Sequence, residues 1–227
     1  MEELEELLDD PVSSIKLSAT LALARIMSYS ESLSKKVQKR DIVKVFVKLL
    51  SEPGSYEKKI GAFALRSLAK HSSELAQAVF DAKGMEGLHA CLNNDDSSVK
   101  EMAASALAQL AKYTEEQAQM LNSHGITELL VNCITKEQED GLKREALVAL
   151  TEIAKHTDRL ADAVLGEGGD DHLIRLISSA NVYIRRQVFS YLKPYLGMRL
   201  FGTDWEAFSS TRCKTYRQNS WQTHGSS

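Results

Sequence analysis

The chain has 227 residues, of which 43% are hydrophobic and 26% charged, and its formal net charge is −3. This composition supplies enough apolar material for a core and is typical of a soluble chain. The small negative charge gives no overall attraction to nucleic acid or to an anionic membrane. No run approaches the roughly 18 consecutive apolar residues of a membrane span. We therefore expect neither a nucleic-acid partner nor a membrane partner.

The first predicted element is a short helix in which Leu4, Leu7 and Leu8 are the apolar residues among four glutamates. Such a helix can cover one end of a core with its leucines and face water with its carboxylates. The acidic start also differs from the basic start of a signal peptide. We expect a polar N-terminal cap on a protein that is not secreted.

An internal repeat is the strongest signal in the chain. Three segments align at offsets of 42 and 43 residues, and a weaker copy precedes them by 42 residues. A degenerate copy follows the third. In chain order the copies are ALARIMSY at 22–29, ALRSLAKH at 64–71, ALAQLAKY at 106–113, ALTEIAKH at 149–156 and VFSYLKPY at 188–195.

One period contains three predicted helices. Residues 73–82 have helical spacing, and Gly84 then breaks the chain, with similar turns at Gly125 and Gly168-Gly169. A second helix over 85–93 buries one stripe. That stripe consists of Met85, Leu88, Cys91 and Leu92.

The third helix of the period is the longest and is rich in alanine. Residues 93–97 form a turn of side chains that hydrogen-bond their own backbone. Ser98, followed three residues later by Glu101, predicts a capping box that opens a helix running through Tyr113. Alanine lets successive helices approach closely, as stacked repeats require.

A period of 42 residues with three helices matches the armadillo unit better than the two-helix HEAT unit. The predicted fold class is therefore all-α, a right-handed armadillo α-solenoid of four to five three-helix repeats. The repeat domain spans residues 1–197. Its approximate units are 1–29 (partial), 30–71, 72–113, 114–157 and 158–197.

Residues 198–227 form a different segment, an aromatic and mildly basic C-terminal tail. It carries both tryptophans, Trp205 and Trp221, in a Ser-, Thr- and Gln-rich context. Three interpretations stay open: it caps the last repeat, it is unstructured, or its tryptophans anchor it to a partner. If it does not seal the end of the solenoid, we expect end-to-end or lateral self-association.

Several runs resemble one particular armadillo family. They are LAKHSSELAQAVFDA at 68–82, VKEMAASAL at 99–107, LKREAL at 142–147 and IAKHTDRLADAV at 153–164. These runs are similar to the armadillo family of the axonemal central apparatus, which includes sperm-associated antigen 6 in animals. The resemblance implies a structural protein of cilia and flagella that supports the central microtubules and motility. This chain is shorter than those proteins, and its aromatic tail matches nothing in them.

The predicted third helices begin with a recurring basic residue. Cations in the first turn oppose the helix dipole by roughly 0.3–1 kcal/mol each, so their recurrence needs a reason. One is an acidic ligand along the solenoid, such as the glutamate-rich tails of tubulin. The other is pairing with acids of the adjacent repeat, such as Glu57, Glu101 or Glu145. The ladder consists of Lys16, Lys58, Lys100, Lys143 and Arg185.

A second set of positions tests a known armadillo binding mode. Nuclear-import adaptors of this fold read basic peptides with ladders of Asn and Trp on their third helices. The Asn positions here hold Arg25, Ser67, Gln109 and Glu152, and the Trp positions hold Leu21, Phe63, Ser105 and Val148. Both ladders are missing, so recognition of nuclear localisation signals is not expected. The first four remain candidate groove positions.

No enzyme or metal signature is found in the sequence. His71 and His156, with Tyr29 and Tyr113 at equivalent positions, are expected to bond helix-end carbonyls. The three cysteines, Cys91, Cys133 and Cys213, have neither metal-ligand nor disulfide spacing, which indicates a reducing compartment. The run at 166–169 is read as a turn rather than a phosphate loop.

The sequence thus predicts a non-catalytic scaffold with no cofactor and no small-molecule substrate. The expected location is the cytoplasm and cytoskeleton, in the axoneme of a cilium or flagellum. The expected partners are axonemal scaffold proteins, with tubulin as a further candidate. The alternative is a general cytosolic adaptor that binds an extended peptide of a partner protein.

Overall fold

The computed structural model describes residues 2–38, 42–136, 139–164, 176 and 181–192. Every regular element of these residues is helical, which confirms the all-α prediction. The elements are α1 (Glu2–Glu6), a 3₁₀ helix (Leu7–Asp9), α2 (Ser13–Tyr29), α3 (Glu31–Gln38), α4 (Ile42–Leu49), α5 (Ser55–Ala69), α6 (Ser73–Asp81), α7 (Gly84–Leu92), α8 (Ser97–Leu110), α9 (Glu115–Ser123), α10 (Ile126–Lys136), α11 (Asp140–Ala154), α12 (Asp158–Val164) and α13 (Val182–Leu192).

The helices form three stacked rows. The third helices of the repeats, α2, α5, α8, α11 and α13, pack against one another in chain order. The second helices α4, α7 and α10 and the first helices α3, α6, α9 and α12 flank them. This arrangement is the armadillo solenoid that the 42-residue period predicts.

Small residues bring the third helices close together and close to the second helices. In α8, the side chains of Ala103, Ala104, Ala106 and Ala108 are all buried. A Cβ on Gly61 of α5 would lie only 2.8 Å from the backbone oxygen of Phe46. The alanine-rich helices predicted from the sequence therefore form the tightly packed centre of the molecule.

The N-terminal cap packs as expected. α1 and the 3₁₀ helix contact α2, and Leu8 is buried while Leu4 packs partly against the same core. Leu7 stays 39% exposed. The leucines therefore divide between the core and the surface of the first unit.

The turns between first and second helices correct one prediction. Gly84 is the first residue of α7 and is buried, and a Cβ there would lie 2.6 Å from Cγ1 of Val79. The left-handed residue is Lys83, with φ of 61°. One repeat later Gly125 takes that conformation, with φ of 74°. Gly84 thus serves close packing, and Gly168-Gly169 lies outside the described residues.

Helix caps correct a second prediction. α8 begins two residues earlier than the capping box implies, and its N-cap is Asp96, which accepts a hydrogen bond from the backbone N–H of Ser98 at 2.9 Å. The helix ends at Leu110 rather than at Tyr113. The first helices share a different cap, a Ser or Thr whose hydroxyl accepts from the N–H three residues on. These residues are Ser30, Ser72, Thr114 and Thr157.

The repeats are joined by hydrogen bonds to the ends of the third helices. Nε2 of His71 donates to the carbonyl of Met27 at 2.7 Å, and Nε2 of His156 donates to that of Ala111 at 2.7 Å. The Tyr113 hydroxyl donates to the carbonyl of Lys70. The predicted helix-end role is therefore confirmed, but each carbonyl belongs to the preceding repeat.

In the part of the chain that the structure describes, none of the helices combines the length and the apolar character that a membrane crossing requires.

Candidate functional site

The predicted basic ladder lies at one position of the third helices. Each of its residues is the fourth of its helix, from α2 to α13. All five side chains are half-buried. The structure therefore aligns them in a row near the N-terminal ends of the third helices.

The direction of this row follows from helix geometry. In α5 the solvent-facing line is Tyr56, Lys59, Phe63 and Arg66, spaced three and four residues apart. At about 100° per residue, Lys58 lies about a third of a turn away from that line. Its charge acts on the thiol of Cys91, which lies on the second helix α7 of the next repeat. The predicted ladder thus follows the edge between the third and second helices.

Two of the three expected acidic partners, Glu57 and Glu145, are otherwise engaged. The Glu145 carboxylate pairs with Arg144 on its own helix at 2.9 Å. A Cβ at Gly54 would collide with the carboxylate of Glu57, which therefore lies over the start of its own helix. Within residues 2–38, 42–136 and 139–164, Lys16, Lys58 and Lys143 form no ion pair. Pairing between adjacent repeats does not explain these three lysines.

The candidate groove positions do not form one accessible row. Arg25 is exposed and Gln109 and Glu152 are half-buried, but Ser67 is only 2% exposed. Around the helix, Ser67 lies about 80° from Lys59 and about 40° from Phe63, on the buried side of this line. Ser67 is therefore wrong as a groove residue.

The positions that precede the candidate groove residues by four form a more continuous floor for a groove across the third helices. Leu21, Phe63 and Val148 are half-buried, and Ser105, at 6% exposure, lies between the last two in the order of the helices. Because serine is the smallest of the four, the floor is lowest at α8. An extended chain crossing the third helices would lie on these side chains.

A second row of lysines lies at the other end of the third helices, and the sequence analysis missed it. Lys70, Lys112 and Lys155 directly follow α5, α8 and α11 or lie two residues beyond, and all three are exposed. Their spacing of 42 and 43 residues was present in the aligned repeats, where each precedes the helix-end His or Tyr. The aligned repeats therefore contain this row of lysines, but there it indicates only that the helix ends are equivalent.

This second row has structural contacts of its own. Nζ of Lys70 donates to the carbonyl of Ser28 at 3.2 Å, and Nζ of Lys155 donates to that of Lys112 at 2.7 Å. Lys155 also pairs with Glu152. Nζ of Lys112 lies 5.1 Å from the ring centroid of Tyr113. An ammonium has three donors, so these contacts leave donors that face solvent.

Charge is divided between the rows of helices. The third helices contain ten basic and five acidic residues, whereas the first helices α3, α6, α9 and α12 contain three basic and seven acidic ones. Four of the ten basic residues lie on α2 and α13, so α5, α8 and α11 contain six basic and five acidic residues. The lysines that follow these three helices, Lys70, Lys112 and Lys155, give this side its basic excess. We call the side made by the solvent-facing residues of α5, α8 and α11 and the lysines that follow them the third-helix face.

Two of the three cysteines lie in the core. Cys91 and Cys133 are 1% and 4% exposed. Burial raises the pKa of the Cys91 thiol to about 11, and the opposing effect of Lys58 is smaller. Among the described residues, no group of three or more His, Cys, Asp and Glu side chains is arranged to hold a metal ion. Cys213 and the candidate anchors Trp205 and Trp221 lie outside the described residues.

No protein-family model matches the chain, and no curated protein matches it significantly. Solved structures do. An engineered protein is 32% identical to this chain with a TM-score of 0.80, and the match covers 84% of this chain and 77% of the engineered protein. A designed armadillo repeat protein is 22% identical with a TM-score of 0.79, covering 84% and 79%.

Another designed armadillo repeat protein was solved in complex with the peptide (KR)4. It is 19% identical with a TM-score of 0.80, and the match covers 99% of this chain and 92% of that one. At these identities the similarity to the designed proteins establishes the fold alone.

Proposed function

Because the chain is an armadillo-repeat solenoid, we propose that it is a protein-binding scaffold that holds an extended segment of a partner across its third helices. The observation that carries this proposal is the third-helix face itself. It combines a half-buried floor, represented by Phe63 and Val148, with exposed basic side chains at every repeat. An extended chain can contact each repeat in turn on such a surface.

The chemistry of the face favours an acidic segment. Lys59, Arg66 and Lys70 follow one another on the same side of α5, and the one acidic residue of that helix, Glu57, is turned toward its own N-terminus. A designed relative of similar fold binds the basic peptide (KR)4. The basic residues here would repel such a peptide, so the expected ligand carries the opposite charge.

Binding of free peptides tests this proposal directly. Fluorescence anisotropy would compare labelled polyglutamate, neutral and polylysine peptides of equal length. We expect polyglutamate to bind and polylysine not to bind, with affinity that falls as salt is added. Binding of none of the three in dilute solution contradicts the proposal.

A matched pair of variants locates the contact. Lys59→Glu reverses a charge on the third-helix face, and Lys36→Glu reverses one on the first helix α3, where the side chain is exposed. We expect Lys59→Glu to weaken polyglutamate binding by about three- to tenfold, and Lys36→Glu to leave it unchanged. Equal losses in both variants would indicate only a general effect of net charge.

At a finer level, we propose that the chain acts in the axoneme of a cilium or flagellum. The support is the resemblance of residues 68–82 and 153–164 to the central-apparatus armadillo family, together with a face suited to acidic tails such as those of tubulin. Tagging in a ciliated cell and extraction of demembranated axonemes test it. We expect the protein to stay with the axoneme, and a diffuse cytosolic label would instead favour the adaptor alternative.

A further inference from the structure

The two rows of lysines lie on opposite sides of the same floor. Lys58 is the fourth residue of α5, and Lys70 directly follows its end. Twelve residues of helix separate them, which corresponds to about 18 Å along the axis. Phe63, on the floor, lies between them. The same order holds in the next repeats, with Lys100 and Lys112, and with Lys143 and Lys155.

An extended chain on the floor would have these rows on its two sides. Successive side chains of an extended segment point to opposite sides. In an acidic segment, alternate carboxylates would therefore point toward the N-terminal row and toward the C-terminal row. Neither row alone can pair with all of them.

The rows are not equally free to contact a ligand. Lys58, Lys100 and Lys143 are half-buried, whereas Lys70, Lys112 and Lys155 are exposed. Positively charged groups at the C-terminal end of a helix also counter the negative end of the helix dipole. Without these lysines, the negative dipole ends of α5, α8 and α11 would repel an anion crossing the third helices.

Resting on the proposed function, we infer that Lys70, Lys112 and Lys155 determine specificity for an acidic extended segment lying between the two rows. Lys70 and Lys155 keep their bonds to the preceding repeat, to the carbonyls of Ser28 and Lys112, and all three lysines use their remaining N–H groups for ligand carboxylates. The occupant is an acidic peptide, selected by charge complementarity. The N-terminal row contributes the contacts on the other side.

Triple variants of each row test the inference with a labelled polyglutamate peptide and the full chain. One variant carries Lys70→Gln, Lys112→Gln and Lys155→Gln, and its counterpart carries Lys58→Gln, Lys100→Gln and Lys143→Gln. We expect the first to weaken binding by about tenfold or more, since three exposed charge contacts are lost. The second should lose less, and Lys→Arg at the C-terminal row should preserve binding.

The controls separate a lost contact from a lost fold. Glutamine keeps an N–H donor for the carbonyls of the preceding repeat, and circular dichroism with thermal unfolding would verify the helices. If the C-terminal-row variant binds polyglutamate within twofold of the unaltered protein, the inference is wrong while the proposed function stands. If the unaltered protein binds none of the peptides, the proposed function itself fails.

Discussion

His71 and His156 occupy one position of the repeat and bind the preceding repeat through the same ring atom. In each case Nε2 donates to a carbonyl at the end of the previous third helix, at 2.7 Å. Tyr29 occupies that position in the first unit, where no repeat precedes it in the described structure, and is 89% exposed. The same position is thus an inter-repeat contact in three repeats, through His71, Tyr113 and His156, and a free surface in the first.

We expect His71→Ala to lower the free energy of unfolding by about 1 kcal/mol, because the Met27 carbonyl loses its hydrogen bond from the imidazole and keeps only those from the Ser34 hydroxyl and the Ser30 N–H. Urea unfolding followed by circular dichroism measures the change. Tyr29→Ala is the matched control and should have little effect. Equal losses in the two variants would show that the hydrogen bond is not what matters at this position.

The turn between the first and second helices offers a second pair of test variants. Lys83→Gly should stabilise the protein by about 0.5–1 kcal/mol, because a side chain with φ of 61° is strained. Gly125→Ala, at the same position one repeat later, should destabilise it by about 1 kcal/mol. Thermal unfolding of both variants checks the signs. If both changes act in the same direction, the turn geometry is not the cause.

Asp96 should make the stability of the protein sensitive to acid. Its hydrogen bonds from the side chain and backbone of Ser98 lower the pKa of its carboxyl from 3.8 to about 2. A group whose pKa is lower in the folded state stabilises above the unfolded pKa and loses that effect as the pH falls toward the folded pKa. The contribution should therefore disappear between about pH 4 and pH 2.

Asp96→Asn keeps a capping side chain but removes the titration. Unfolding midpoints measured from pH 5 to pH 2 should fall more steeply in the unaltered protein than in this variant. Parallel curves would mean that the Asp96 cap does not contribute to acid sensitivity.

At the scale of elements, close approach between second and third helices depends on Gly61. A Cβ there meets the backbone oxygen of Phe46 at 2.8 Å, which cannot move without shifting α4. Gly61→Ala should therefore cost about 1–3 kcal/mol despite the better helix propensity of alanine. At Gly141 the obstacle is the carboxylate of Glu101, the end of a flexible side chain.

Gly141→Ala is accordingly the control for this prediction. Glu101 can rotate away, so we expect the variant to be neutral or more stable by up to about 1 kcal/mol. Chemical denaturation of both proteins gives the comparison. Similar destabilisation by the two substitutions would contradict the view that backbone contact, and not the glycine itself, fixes the helix spacing.

The order and type of the helices could be predicted because the repeat is present at each level, in period, apolar spacing and turn residues. The stripe from Met85 to Leu92 is buried, and the third helices begin where the basic ladder places them. Cap positions were less predictable, because Asp96 and Ser98 are both suitable N-caps and the local backbone chooses between them. Lys83 could not be identified, since a lysine gives no sign of positive φ.

The candidate site was predicted only in part for a related reason. Exposure on a third helix depends on how the next repeat packs against it, and one sequence does not specify that direction. Ser67 is buried for this reason, whereas Lys59 and Arg66 on the same helix face solvent. The lysines at the helix ends were visible as repeats, but their position beyond the helices made them look purely structural.

On the scale of the whole molecule, the proposed preference for an acidic segment depends on the division of charge between the rows of helices. Taken together, the third helices and the lysines that follow them contain more basic than acidic residues, and the first helices contain more acidic than basic ones. On such an extended surface, charge and spacing along the third helices select the partner. Self-association and the role of residues 198–227 stay predictions, because the tail lies outside the described residues.

Lysine-specific footprinting of the full chain, with and without polyglutamate, shows directly whether an acidic segment lies on the third-helix face. Mass spectrometry would follow the modification of each lysine by a small amine-reactive reagent. We expect the peptide to protect Lys59, Lys70 and Lys112 on the third-helix face and to leave Lys35 and Lys36 on α3 as reactive as before. Protection centred on Lys35 and Lys36, or equal protection of all these lysines, would contradict this expectation.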